Sequence, residues 1–294
     1  MSRRVARWLA IVPLLALGAL APPRAIAKEN PADTVLVQRA LAAELIAAQD
    51  IQHPMRYRLR KASPRLATTK EIVETKDGAV ARLVAINDQP LSEADNVKEQ
   101  TRLNGLLVDP GKQRHRKQAE QDDLNRVLKV MRALPTAFLY QYAGPGVAPA
   151  GRPGASPPGR IERFSFKPNP AFNPPDLETM ALTQMAGELW IDPDQARVTR
   201  LEGHLQQDVD FGWGILGRLN KGGWIVLEQA EVQTRQWRIV HFQMVMTGRL
   251  VFRSKSFDTV EDQTNYTPLP VGLTYAQGIQ FLRAAPPNPE QARR

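Results

Sequence analysis

The stretch DVDFGWGILGRLNKGGW, from Asp208 to Trp224, decides between two folds. Gly212, Gly214 and Gly217 stand in the order G-x-G-x-x-G. That order cradles a dinucleotide pyrophosphate when the glycines lead from a strand into a helix whose N-terminus faces the phosphates. Here only Arg218, Leu219 and Asn220 separate Gly217 from the turn signal Lys221-Gly222-Gly223, and WIVLEQAEV (Trp224–Val232) then alternates as a strand. No crossover helix fits that gap. The stretch reads as a glycine-rich bend, where a strand curves or passes close to another backbone, and it places the surrounding chain in an antiparallel meander.

Strand character extends on both sides of the bend. GELWID (Gly187–Asp192), RVTRLEGHL (Arg197–Leu205), QDVDFGW (Gln207–Trp213), WRIVHFQMVMTG (Trp237–Gly248) and RLVFRSKSF (Arg249–Phe257) are joined by turn signals such as Pro193-Asp194. Farther upstream, MRYRLRK puts Met55, Tyr57 and Leu59 on one face with arginines opposite. KEIVETKDGAVARLVAI carries Asp77-Gly78 between two alternating runs, a hairpin signal. TAFLYQY and RIERFSF predict a further pair of neighbouring strands around residues 143–159, a run nearly all Gly, Pro, Ala and Ser that predicts a mobile loop.

Helical spacing appears in three places. Val35, Leu36, Leu41, Leu45 and Ile46 predict a first helix over 32–48. Leu124, Val127, Leu128, Met131 and Leu134 recur at i, i+3, i+4 and i+7, so residues 91–134 read as a helical insertion between strands, with an earlier helix starting after Ser92. A short helix is expected over 175–185. Residues 28–283 thus read as one domain, and 284–294 as a disordered tail.

The first 27 residues differ in kind. An arginine-bearing start, an apolar run from Trp8 to Ala21 and small residues at Ala25 and Ala27 describe a secretory signal peptide cleaved after Ala27; the run is too short and wrongly flanked for a membrane span. Ala6 and Arg7 stand where a twin-arginine signal has apolar residues, which favours general secretion. The whole chain carries a formal +9, but Arg3, Arg4, Arg7 and Arg24 belong to this leader. The mature chain is then only mildly basic, about +5, which is no nucleic-acid signature. Without cysteine there are no disulfides, thiolate metal sites or N-terminal lipid anchor. Together these features predict a periplasmic protein with no transmembrane segment after cleavage, stabilised by its core.

The remaining motifs point away from catalysis. GLLVDPGKQ resembles a phosphate-binding loop, but Gly105 to Gly111 is one residue too long and Gln113 replaces the Ser or Thr that would hold magnesium. His53, His115, His204 and His241 form no metal-ligand spacing. Asp208 and Asp210 share the solvent face of a strand, and an exposed pair lacks the burial that acid–base work calls for. No nucleophile motif is present, and no cofactor is expected. The basic run Lys112, Arg114, His115, Arg116 and Lys117 has two readings, a contact for anionic lipid or a partner and a solvated helix end; the acids Glu120, Asp122 and Asp123 that follow at once favour the helix end.

The informative feature is apolar. Val240, Phe242, Met244 and Met246 fall on one strand face, opposite Ile239, His241 and Gln243, and the soft side chains of Phe242, Met244 and Met246 suit either a core or a cavity for flexible chains. The exported helix-first chain, the meander containing GELWIDPDQARVTRLEG and the final GRLVFRSKSFDTVEDQTNYTPLP together resemble the periplasmic lipoprotein-carrier families of the LolA/LolB type. The resemblance implies an α+β fold in which a strongly curved antiparallel sheet, a half-open barrel, wraps a hydrophobic cavity lidded by helices. It implies non-catalytic binding of lipid or lipoprotein acyl chains, with Tyr57, Leu59, Phe242, Met244 and Met246 as candidate lining. The alternative is an envelope scaffold with the same fold, a dry interior and a protein partner.

Overall fold

The computed structural model describes residues 31–147, 159–211, 217–250 and 253–284. Its strands are β1 (Met55–Ser63), β2 (Leu66–Val73), β3 (Val80–Ile86), β4 (Gln89–Pro90), β5 (Phe138–Gly146), β6 (Ile161–Pro168), β7 (Met185–Asp192), β8 (Arg197–Leu205), β9 (Val209–Phe211), β10 (Gly217–Leu219), β11 (Trp224–Gln233), β12 (Gln236–Leu250) and β13 (Arg253–Pro268). The helices are α1 (Pro31–Ala47), α2 (Glu93–Leu107), α3 (Pro110–Ala137), α4 (Leu177–Met180), continued by a 3-10 turn at Ala181–Gln184, and α5 (Tyr275–Ala284).

The strands form one antiparallel sheet in the order β4-β3-β2-β1-β13-β12-β11-β8-β7-β6-β5, which does not close on itself; β10 pairs with β12 and β9. The fold is α+β. Phe211 of β9 pairs with Gly217 of β10, so Gly217 stands in a strand and not in a helix. Gly212 and Gly214 lie outside the described residues. Gly222, at φ +80°, adopts the left-handed conformation that glycine tolerates best, and its N–H donates to the Leu205 carbonyl at 2.9 Å.

Register sorts the two faces. One row runs Tyr142, Phe164, Leu189, Leu201, Leu227, Phe242 across six strands from β5 to β12. A row on the opposite face runs Arg163, Trp190, Arg200, Glu228, His241, Asp262, Arg60. There Arg200 bridges Glu228 and Glu202 and stacks over Trp190 at 5.6 Å, and His241 meets Asp262 at 2.8 Å. A sheet with one apolar and one charged face must cover the apolar one.

The larger core does so: Val37, Ala40 and Leu41 of α1 and Ala133 and Ala137 of α3 pack on Phe138, Phe164, Phe166, Leu189 and Ile191. A second core lies on the other face at the far end of the sheet, where Leu103 and Leu106 of α2 and Tyr275, Ile279 and Leu282 of α5 pack on Val73 and Val80, which share a face with Arg56. The insertion is two capped helices. Ser92 caps α2 by accepting from Asp95 N, and Asp109 caps α3 by accepting from Lys112 N, with Pro110 in its first turn. The apparent phosphate loop is therefore a helix junction: Gly105 lies in α2 and Gly111 in α3.

Two expectations need correction. The loop expected over 143–159 begins later, because Gly144, Pro145 and Gly146 pair with Arg163, Glu162 and Ile161 at the end of β5; residues 148–158 lie outside the described residues. The chain before residue 284 also holds α5, unread from sequence although Tyr275, Ile279 and Leu282 keep helical spacing. Among the described residues no helix is long and apolar enough to cross a membrane.

Candidate functional site

Between the helices and the sheet lies a cavity of about 710 Å3. One stripe of α3 forms its roof: Leu124, Val127, Met131 and Leu134 line it, and Leu128 beside them is buried in the protein. Leu41 and Ala47 of α1 form a second wall, and Tyr57, Leu201, Leu227, Ile239 and Tyr266 the floor. This size falls inside the range of small-molecule pockets, roughly 300–1,000 Å3.

Polar groups in the lining are held by the fold. Glu44 of α1 accepts two hydrogen bonds of 2.8 Å from the Arg197 guanidinium and one of 2.9 Å from Val198 N. Glu74 accepts from Met55 N at 2.8 Å, and Glu120 from Ala79 N at 2.9 Å, so these two carboxylates tie down the β2–β3 turn. Burial raises both carboxyls above the ordinary glutamate range, against the opposing pull of those N–H donors. Arg238 donates to the carbonyls of His53 at 2.8 Å and Trp237 at 3.0 Å, fastening the loop after α1 to β12.

Two tyrosines stack on the floor with ring centroids 5.1 Å apart. The Tyr266 hydroxyl donates to the Ile239 carbonyl at 2.7 Å and meets Gln263 Oε1 at 2.6 Å. Burial raises both phenols, and the nearby charge of Glu74 adds to it, so each stays neutral.

Of the five residues singled out from sequence, Tyr57 lines the cavity. Leu59 pairs with Gln263, a lining residue, and Phe242 with Leu227, so both face the cavity side of the sheet just beyond its lining. Met244 pairs with Ile225, and Met246 packs half-buried on the larger core. Sequence reasoning set Ile239 on the face opposite Phe242, yet Ile239 lines the cavity. The register slips at Val240, where Glu228 pairs with His241 and Gln229 with Ile239. A bulge of this kind switches the face of every residue beyond it. The α3 stripe, by contrast, was visible as helical period.

The acids weighed from sequence are accounted for by ion pairs: Arg218 binds Asp210 at 2.6 Å and Asp208 at 3.2 Å on the surface. Among the described residues no group of three His, Cys, Asp or Glu side chains is placed to hold a metal ion. No family model, curated protein or solved structure matches the chain at a significant level.

Proposed function

We propose that this chain is an exported, non-catalytic binding protein whose sheet curves as a half-open barrel around an acyl chain of a lipid or lipoprotein. The carrying observation is the cavity itself: apolar floor, apolar helical roof, and carboxylates already engaged by the fold. Each lining carboxylate described above accepts from a backbone N–H, which suits a structural role better than proton transfer. An apolar enclosure of this size takes a flexible hydrocarbon by removing it from water, at about 0.8 kcal/mol per methylene. The leader expected from the sequence and the LolA/LolB-type resemblance support reading it as a periplasmic carrier or sensor.

A fluorescent fatty-acid probe tests the reading. Displacement should tighten roughly 15-fold for each two methylenes added, until the cavity is full. Leu124→Trp, which puts an indole into the roof, should abolish displacement while leaving the melting temperature within a few degrees. Probe binding that ignores both chain length and Leu124→Trp contradicts an acyl site here.

A further inference from the structure

We propose that the mouth of the cavity docks on an anionic lipid bilayer; the inference rests on reading the cavity as an acyl-chain site. Ile51 is 77% exposed, Val271 61% and Val127 52%, yet all three line the cavity. A side chain that lines a cavity and is more than half exposed stands at its opening. The three come from separate segments: the loop after α1, the loop between β13 and α5, and the middle of α3. Single exposed aliphatic residues are ordinary. Three converging on the entrance to an apolar interior make a rim over which a hydrocarbon chain passes without crossing water.

Charge at the same mouth supplies the second observation. Lys76 lines the cavity, and Lys117 Nζ donates to its carbonyl at 3.3 Å, which brings the first turns of α3 alongside the opening. Over residues 109–117 those turns carry Lys112, Arg114, Arg116 and Lys117 against the single acid Asp109. Lys112, Arg114 and Lys117 are exposed. Asp109 and Asp77 pair with Lys112 at 3.2 Å and Lys76 at 3.1 Å, and Arg116 faces the charge of Glu120, so the excess positive charge rests mainly on Arg114 and Lys117. Cations beside exposed aliphatic tips match an anionic interface, where headgroups meet the charge and acyl chains meet the tips. A protein partner fits less well, because the core of a protein interface is enriched in aromatic anchors and the rim offers only Ile and Val.

The test is flotation of the protein, purified as the cell processes it and with its N-terminus fixed by intact mass, on vesicles of phosphatidylglycerol and phosphatidylethanolamine or of phosphatidylcholine alone. Binding should favour the anionic vesicles and weaken by about tenfold in high salt. Ile51→Glu with Val271→Glu, and separately Lys112→Glu with Arg114→Glu, should each weaken it about tenfold, whereas Ile51→Trp should strengthen it. All variants share one N-terminus, and Lys112→Glu with Arg114→Glu, which lies outside the cavity lining, should displace the fatty-acid probe as the native protein does. Vesicle binding without probe binding would remove the acyl-chain reading and leave the docking surface standing. A native protein that fails to float, a rim variant that floats as well as native, or a photocrosslinker at Ile51 that captures protein instead of lipid would overturn the docking proposal.

Discussion

Glu44 of α1 and Arg197 of β8 meet in a two-pronged ion pair, both bonds 2.8 Å long, with side chains only 9% and 11% exposed. The pair fastens a helical wall of the cavity to its floor. Arg197 also packs over the Trp237 ring at 5.9 Å. Glu44→Ala strands a largely buried guanidinium and the Val198 N–H, so urea unfolding should register a loss of about 3–5 kcal/mol. Replacing both partners, Glu44→Leu with Arg197→Met, should cost less than Glu44→Ala alone.

Stability should respond to pH through Glu74. Burial raises its carboxyl in the folded state above the ordinary value of 4.5, despite the Met55 N–H donor. The folded chain therefore holds this proton more tightly than the unfolded chain does. Stability contributed at this site declines as pH rises from the ordinary value through the raised one, then stays level. Glu74→Gln keeps an acceptor for Met55 N and removes the titration. The difference between variant and native stability should grow in favour of the variant from about pH 4 upward, to a plateau. Glu120, raised in the same direction, cancels in that difference. Unfolding curves at stepped pH check it, and a difference that shrinks with rising pH refutes it.

Two glycines should answer alanine with opposite signs. A Cβ on Gly187 would stand 1.9 Å from the Glu202 carbonyl oxygen and 2.9 Å from the Gly203 Cα, both backbone atoms of the neighbouring strand. Gly187→Ala should cost upward of about 2 kcal/mol. Gly105, inside α2, has open space around that position, so Gly105→Ala should stabilise by about 0.5–1 kcal/mol through helix propensity. Paired thermal melts measure both.

Tyr266→Phe deletes the hydroxyl that bonds the Ile239 carbonyl and Gln263. It should cost about 1–3 kcal/mol, since a partly buried carbonyl loses its side-chain donor. The tyrosine stack should persist. Near-ultraviolet circular dichroism reads the ring environment while unfolding reads the cost.

The periodic elements were legible and the irregular ones were not. RVTRLEGHL is β8 residue for residue, and the recurrence from Leu124 to Leu134 is the cavity roof of α3. Such long regular runs show which face is buried because their period is unbroken. The slip at Val240 interrupts the period, so Ile239 joins the cavity floor against the alternation on which Phe242, Met244 and Met246 were chosen. Glu44, Glu74, Glu120 and Arg197 were unreadable for another reason. Their roles depend on pairs 153 residues apart, or on backbone N–H groups that no motif encodes. Tyr57 could be singled out from the alternation of β1, but its stacking partner Tyr266 belongs to β13, which runs eleven residues beyond the strand read from RLVFRSKSF.

Native mass spectrometry of the protein, purified without detergent from the cells that make it, tests the acyl-chain account most directly. The account expects a bound, non-covalent mass of one lipid or lipidated species, released on activation and absent from Leu124→Trp. A bare polypeptide mass, together with no displacement of the fatty-acid probe by any chain length, would contradict it.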